Sequence, residues 1–104
     1  MNYRNAKLTA IARDQPCMVA IPECCDGGGP TSVWAHSNLQ EHGKGTGIKA
    51  HDPFGAIACG PCHDALDGRS KVLPTREARA WWMRRAMDRT LLYLFQQEKL
   101  KVAR

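Results

Sequence analysis

Five cysteines in a chain of 104 residues constrain its fold more than any other feature. They fall in two groups, Cys17, Cys24 and Cys25 near the start and Cys59 and Cys62 past the middle. Five is odd, so the set cannot close into disulfides alone. A domain this small buries a modest core and tends to need a staple. The opening run MNYRNAKLTAIARDQ is polar and basic, without the apolar stretch of a secretory signal. No segment has the length and apolarity of a membrane span. The expectation is a cytoplasmic protein with no membrane partner, where thiols stay reduced and clustered cysteines point to metal before disulfide.

Cys59-Gly60-Pro61-Cys62 has the spacing of a zinc knuckle, in which a tight turn lets two thiolates converge on one tetrahedral ion. The second pair must be Cys17 with Cys24 or Cys25. Two pairs far apart in sequence that meet at one Zn²⁺ would tie the N-terminal loop to the middle of the chain. Two other chemistries share this segment. CGPC is a familiar dithiol redox motif, but that fold needs several strands after the motif, and here a charged turn and one long helix follow. Cys59, Cys62 and His63 also spell a haem-attachment motif, which normally accompanies export.

Residues 3–13 carry a small apolar stripe, Leu8, Ile11 and Ala12, and read as a short helix stopped by Pro16. Val33 to His36 reads as a strand. Residues 37–55 hold several glycines and no periodicity, so they form a long loop, and loops of that length are often functional. Ala56 to Cys59 is a second strand. Pro61 opens a helix that runs to Asp67 and stops at Gly68. Thr75 caps a last helix that extends to about Lys99. Its expected apolar face is Ala80, Met83, Met87, Leu91 and Leu94, widened by Trp82, Leu92 and Phe95. A face that broad also admits a homodimer through this helix.

Fifteen Lys and Arg against ten Asp and Glu give a formal charge of +5. That balance permits nucleic-acid binding without requiring it. Lys44 and Lys49 in the Gly-rich loop, and Arg69 after the helix stop, are the candidate phosphate contacts, together with arginines of the last helix. Of the four histidines, His36 ends the first strand and His63 follows the second knuckle cysteine. Asp67 stands four residues after His63 on the same helix face, a spacing at which imidazole and carboxylate can share one cation. His42 and His51 read as exposed loop residues.

In order, these features are a strand histidine, a Gly-rich loop, a strand, Cys-x-x-Cys-His and a helix. Ala35-His36 and Ala58 through Asp64 resemble the zinc-containing branch of the HNH, or ββα-metal, endonucleases. More closely, the run Cys17 to Asp67 is similar to the YbcO-like family of lambdoid-prophage nucleases. The matching segments are Cys17 to Pro22, Thr31 to His36, Gly45-Thr46-Gly47 and Ile57 to Asp64. The resemblance covers about half the chain and fades after Arg69. It implies an α+β fold, a single domain over 1–104 with its ββα core over 17–68, flanked by an N-terminal and a long C-terminal helix. It implies Cys25 rather than Cys24 as the partner of Cys17, so that Cys17, Cys25, Cys59 and Cys62 hold a structural zinc.

The resemblance also implies roles. His36 would be the general base that activates water, and His63, with Asp67, would hold a catalytic Mg²⁺ or Mn²⁺ for hydrolysis of DNA phosphodiester bonds. Two positions depart from the general HNH pattern. Ala35 stands where many members have Asp before the first histidine, and Phe54 where many have Asn. Asn38, Asp52 and Asp67 are the residues able to replace them. The rival reading is a non-catalytic zinc module that binds DNA or a phage protein.

Overall fold

Val33-Trp34-Ala35-His36 alternates larger and smaller side chains and forms strand β1 (Val33–His36). It pairs antiparallel with β2 (Gly55–Ala58), Val33 opposite Ala58 and His36 opposite Gly55. The computed structural model describes residues 2–103, so the two terminal residues of the expected 1–104 domain lie outside the described residues. The architecture is α+β: a two-stranded sheet with helices α1 (Ala6–Ala10), α2 (Gly60–Leu66) and α3 (Arg76–Gln96). Among the described residues no helix is long and apolar enough to cross a membrane.

The first helix is shorter than its apolar stripe suggested. Asn5 caps it by accepting from the Leu8 amide, so residues 2–4 stay outside. They are held by hydrogen bonds to the loop over 43–51 instead. Asn2 donates to the carbonyls of Gly43 and Lys49, Arg4 donates to Lys49, and the Tyr3 amide donates to His51 Nδ1. The second strand begins and ends one residue earlier than expected, because Cys59 leaves the sheet to cap α2. Asp67 is the last cap of α2, and Gly68 turns the chain at φ +74°, a left-handed conformation that glycine adopts at no steric cost.

All four residues of β2 are buried, and three of them are small. Ala35, Ala56 and Ala58 leave room for α2 and α3 to approach the sheet closely. Val19, Ile21, Cys59, Cys62, Leu66, Met83 and Ala86 fill the space around them. Gly55 is required where the Trp34 indole passes: a methyl group there would overlap Trp34 Nε1, which donates to the Asp52 carbonyl at 2.8 Å.

On α3 the buried stripe is Met83, Ala86, Thr90 and Leu94, rotated from the expected one. Leu91, Leu92 and Phe95 face solvent, and the hydroxyl residue Thr90 is 1% exposed. The reason is the free edge of β2. Opposite Trp34, Ile57 points its backbone groups away from β1. Its carbonyl accepts from the Met18 amide and its amide donates to Thr90 Oγ1 at 3.1 Å. A buried strand amide needs an acceptor, and α3 supplies one where hydrophobic patterning would place a methyl. Thr90→Val keeps the shape and removes that acceptor. It is expected to cost about 1–3 kcal/mol, read as a lowered melting temperature; an unchanged one would mean that Ile57 finds another acceptor.

Candidate functional site

The N-terminal loop reaches β2 through the Met18 amide, and this brings the two cysteine groups together. The sulfurs of Cys17, Cys25, Cys59 and Cys62 all lie within 4.8 Å of one another, and Cys59 Sγ is 3.9 Å from Cys25 Sγ. Four thiolates around one zinc at about 2.3 Å stand roughly 3.8 Å apart, so the cluster has the size such an ion needs. None of the five cysteines is in a disulfide. Backbone amides face the sulfurs: Ala20 N to Cys17, Gly27 N to Cys25 and Cys62 N to Cys59, at 3.4–3.5 Å. Such donors favour thiolate over thiol. Within the cluster the neighbouring Cys62 side chain pulls Cys17 down to about 4, while Cys17 and burial push Cys62 up. Cys24 points elsewhere, its thiol donating to the Pro61 carbonyl. The four-sulfur set therefore fits a metal ion such as zinc, and Cys24 is outside it.

The same cluster fixes the start of α2. Cys59 is the helix cap, and the His63 amide donates to the Cys59 carbonyl at 2.8 Å. His63 follows Cys62 directly, so the sulfur cluster positions the ring. One turn later Asp67 Oδ2 lies 3.2 Å from His63 Nε2. Asn38 Nδ2 donates to the other carboxylate oxygen at 2.8 Å, and Arg69 donates to Oδ2 at 2.9 Å. Burial opposes ionisation of Asp67, but the His63 ring, Asn38 and Arg69 outweigh it and hold the carboxyl below its usual range. Among the described residues, no further Cys, His, Asp or Glu completes a three-ligand set with this pair.

His36 ends β1 two residues before Asn38, the residue that bonds Asp67. Its Nε2 is 2.7 Å from Asp52 Oδ1. Asp52 is 4% exposed and also accepts from the Asn5 amide at 2.6 Å and from Arg4 at 3.1 Å. Burial works against its charge, but the Asn5 amide, His36 and Arg4 prevail, and the carboxyl sits below its usual range. An ionised Asp52 can only accept, so Nε2 of a neutral His36 carries the proton and Nδ1 carries the lone pair. Nδ1 has no protein partner among the described residues.

A family model described as "Putative nuclease YbcO" matches residues 6–99. The chain belongs to the YbcO family. Two relatives carry that name, from Escherichia coli (strain K12) and from Enterobacteria phage 82. Each is 45% identical over 65 residues, which is 62% of this chain and 67% of the relative. A solved structure described as "a putative bacteriophage protein" of Escherichia coli str. K-12 substr. MG1655 superposes with a TM-score of 0.68 at 28% identity. The alignment covers 86% of this chain and 98% of that one. The family match runs through α3, past the point where the sequence motifs fade.

Of the residues singled out in the sequence, the structure gathers the four cysteines at one point and pairs His63 with Asp67. Of the polar residues left open in the sequence, Asp52 bonds His36, and Asn38 bonds Asp67. Fifteen residues of irregular loop separate His36 from Asp52, so no periodicity could have linked them. His42 and His51 are half-buried rather than exposed. His42 stacks on Phe54 at 4.5 Å and bonds Ser37 Oγ, and His51 meets the Phe54 edge. The phosphate candidates differ. Lys44 and Lys49 have no acidic partner among the described residues, whereas Arg69 bridges Asp64 and Asp67 at 2.9 Å each.

Proposed function

We propose that this chain is an HNH-type, metal-dependent nuclease that hydrolyses phosphodiester bonds in DNA, its ββα core built from β1, β2 and α2. The observation that carries the reading is the Asp52–His36 pair at the end of β1, linked through Asn38 to the His63–Asp67 pair on α2. Zinc at Cys17, Cys25, Cys59 and Cys62 has a structural role, holding α2 against β2. His63 and Asp67 would hold a divalent cation such as Mg²⁺ or Mn²⁺, which would stabilise the charge that develops on the phosphate and its leaving oxygen. Few protein ligands suit a cation that keeps water and takes substrate phosphate oxygens.

The remaining chemistry belongs to the chain's own residues. His36 Nδ1 takes a proton from water as the water oxygen attacks phosphorus and the bond to the leaving oxygen breaks. Asp52 holds the ring in the tautomer that leaves Nδ1 basic. Asp52 thus does for His36 what Ala35 cannot, and Asn38 brings an amide to the cation pair where Phe54 cannot. Lys44 and Lys49 meet the DNA backbone electrostatically, and Arg69 joins them once it leaves Asp67. The reduced thiols suit a cytoplasmic setting. A homodimer through α3 would use Leu91, Leu92 and Phe95, and sedimentation at rising concentration checks it.

The test is plasmid DNA with zinc-loaded protein, with and without Mg²⁺ or Mn²⁺. Cleavage is expected only with added cation. His63→Ala is expected to need more cation, which partly restores the rate, with zinc content unchanged; Asp67→Ala is expected to behave alike but more mildly. No cleavage with any cation would favour the non-catalytic zinc module. Loss of zinc in His63→Ala would move His63 into the cysteine site.

A further inference from the structure

The first half of the solvent face of α3, before Leu91, Leu92 and Phe95, is not used by the site described above, and it is unusual. An open groove of about 720 Å³ runs along it, with Leu39 on its far side. Its helix side carries Arg76, Arg84, Arg85 and Arg89 around Trp81, against two acids, Glu77 and Asp88. Trp81 is 58% exposed, an uncommon state for the largest apolar side chain, and its ring stands nearly perpendicular to that of Trp82. The arginines are poorly neutralised. Arg84 reaches Glu41 at 3.3 Å at the surface, a weak pair. Arg85 lies over the Trp82 ring and donates to the Val19 carbonyl, which leaves its charge intact. Arg89 Nη1 is enclosed without an acceptor, so that charge is uncompensated too.

From this groove we infer a binding site for an unpaired nucleic-acid strand, with one base stacked on Trp81 and the flanking phosphates held by Arg76 and Arg84. Exposed aromatic surface amid arginines is what single strands require, because every base has a stacking face and every link a phosphate. A duplex hides its base faces and would leave Trp81 without a use. The position fits as well. Leu39 directly follows Asn38, which bonds Asp67, so a strand lying in the groove leads toward the cleavage site. The inference rests on the nuclease reading and adds to it a preference, over plain duplex, for substrates with a single-stranded part, such as a tail or a branch.

Binding is measured by fluorescence anisotropy on a short labelled oligo-dT and on a blunt duplex, with zinc-loaded protein and no added Mg²⁺ or Mn²⁺. Trp81→Ala is expected to weaken strand binding roughly tenfold, leave the duplex unchanged, and keep the melting temperature. Trp81→Phe, which retains a stacking face, is expected to recover most of the loss. Arg84→Ala is expected to reduce the salt dependence of strand binding by about one ion. Unchanged strand affinity in Trp81→Ala, or equal losses on strand and duplex, would overturn the site. So would a Trp81→Ala effect confined to the sedimentation of the chain, which would make the face an interface between copies. No cleavage is read, so failure here leaves the nuclease reading intact, and a chain that binds the strand but never cuts would sink that reading alone.

Discussion

Replacing His36 by alanine is expected to lower the rate of DNA cleavage about 10²–10⁴-fold, the range a positioned general base contributes. Zinc content and cation requirement are expected to stay near those of the parent, because His36 bonds Asp52, which keeps its bonds from the Asn5 amide and Arg4 and limits the loss of melting temperature. Asp52→Asn is the sharper experiment. An asparagine can still accept from the Asn5 amide through its oxygen, so the N-terminal segment keeps that anchor. In that orientation its NH₂ group takes the place of Oδ1, gives up the bond from Arg4, and donates to His36 Nε2, which puts the ring proton on Nδ1. A protonated Nδ1 cannot take a proton from water, so cleavage is expected to fall nearly as far as in His36→Ala with the imidazole still present. Rates are measured at saturating Mg²⁺ or Mn²⁺, with circular dichroism as the check on folding. Full activity in His36→Ala would remove the general-base role. Full activity in Asp52→Asn, with His36 still needed, would mean that Asp52 serves only to anchor residues 4 and 5.

The parts of this molecule that were legible in its sequence are those with short-range causes. The cap at Thr75, Pro61 at the start of α2, Gly68 after it and the four residues of β1 follow from local chemistry. The cysteine spacing set which thiols could meet, and the family resemblance singled out Cys25 over its neighbour. The long-range polar choices were not legible. Thr90 is a core residue because one amide of β2 needs an acceptor, and hydrophobic periodicity alone assigns that face of α3 to Met87 and Leu91. Asp52 was one of three candidates until the loop over 37–54 folded back onto residues 2–5. Trp81 drew no attention because an aromatic residue on a long amphipathic helix reads as packing, and only its exposure makes it a binding feature.

Cys25→Ser and Cys24→Ser should part company completely, although the residues are neighbours. Cys25 contributes one of four sulfurs that lie within 4.8 Å of each other, whereas Cys24 bonds the Pro61 carbonyl outside that set. Zinc held by four thiolates contributes apparent folding free energy of roughly 10 kcal/mol or more. A domain of this kind has a net stability of about 5–15 kcal/mol in total. A zinc ion at this cluster would supply most of what keeps the loop from Cys17 to Cys25 on the sheet, and Cys17, Cys59 and Cys62 are also part of the larger core cluster. Cys25→Ser is expected to lose zinc, expose that core and melt far below the parent, and with α2 displaced it is expected to lose cleavage as well. Cys24→Ser exchanges a thiol for a hydroxyl that can make the same bond to Pro61, so zinc stoichiometry and melting temperature are expected to hold. Elemental analysis after gentle purification reads the metal directly, and calorimetry of both variants with and without a chelator reads its share of the stability. A Cys24→Ser protein stripped of zinc beside a Cys25→Ser protein that keeps it would reverse the ligand assignment. Parent protein purified without metal, yet folded and indifferent to a chelator, would remove zinc from the fold altogether.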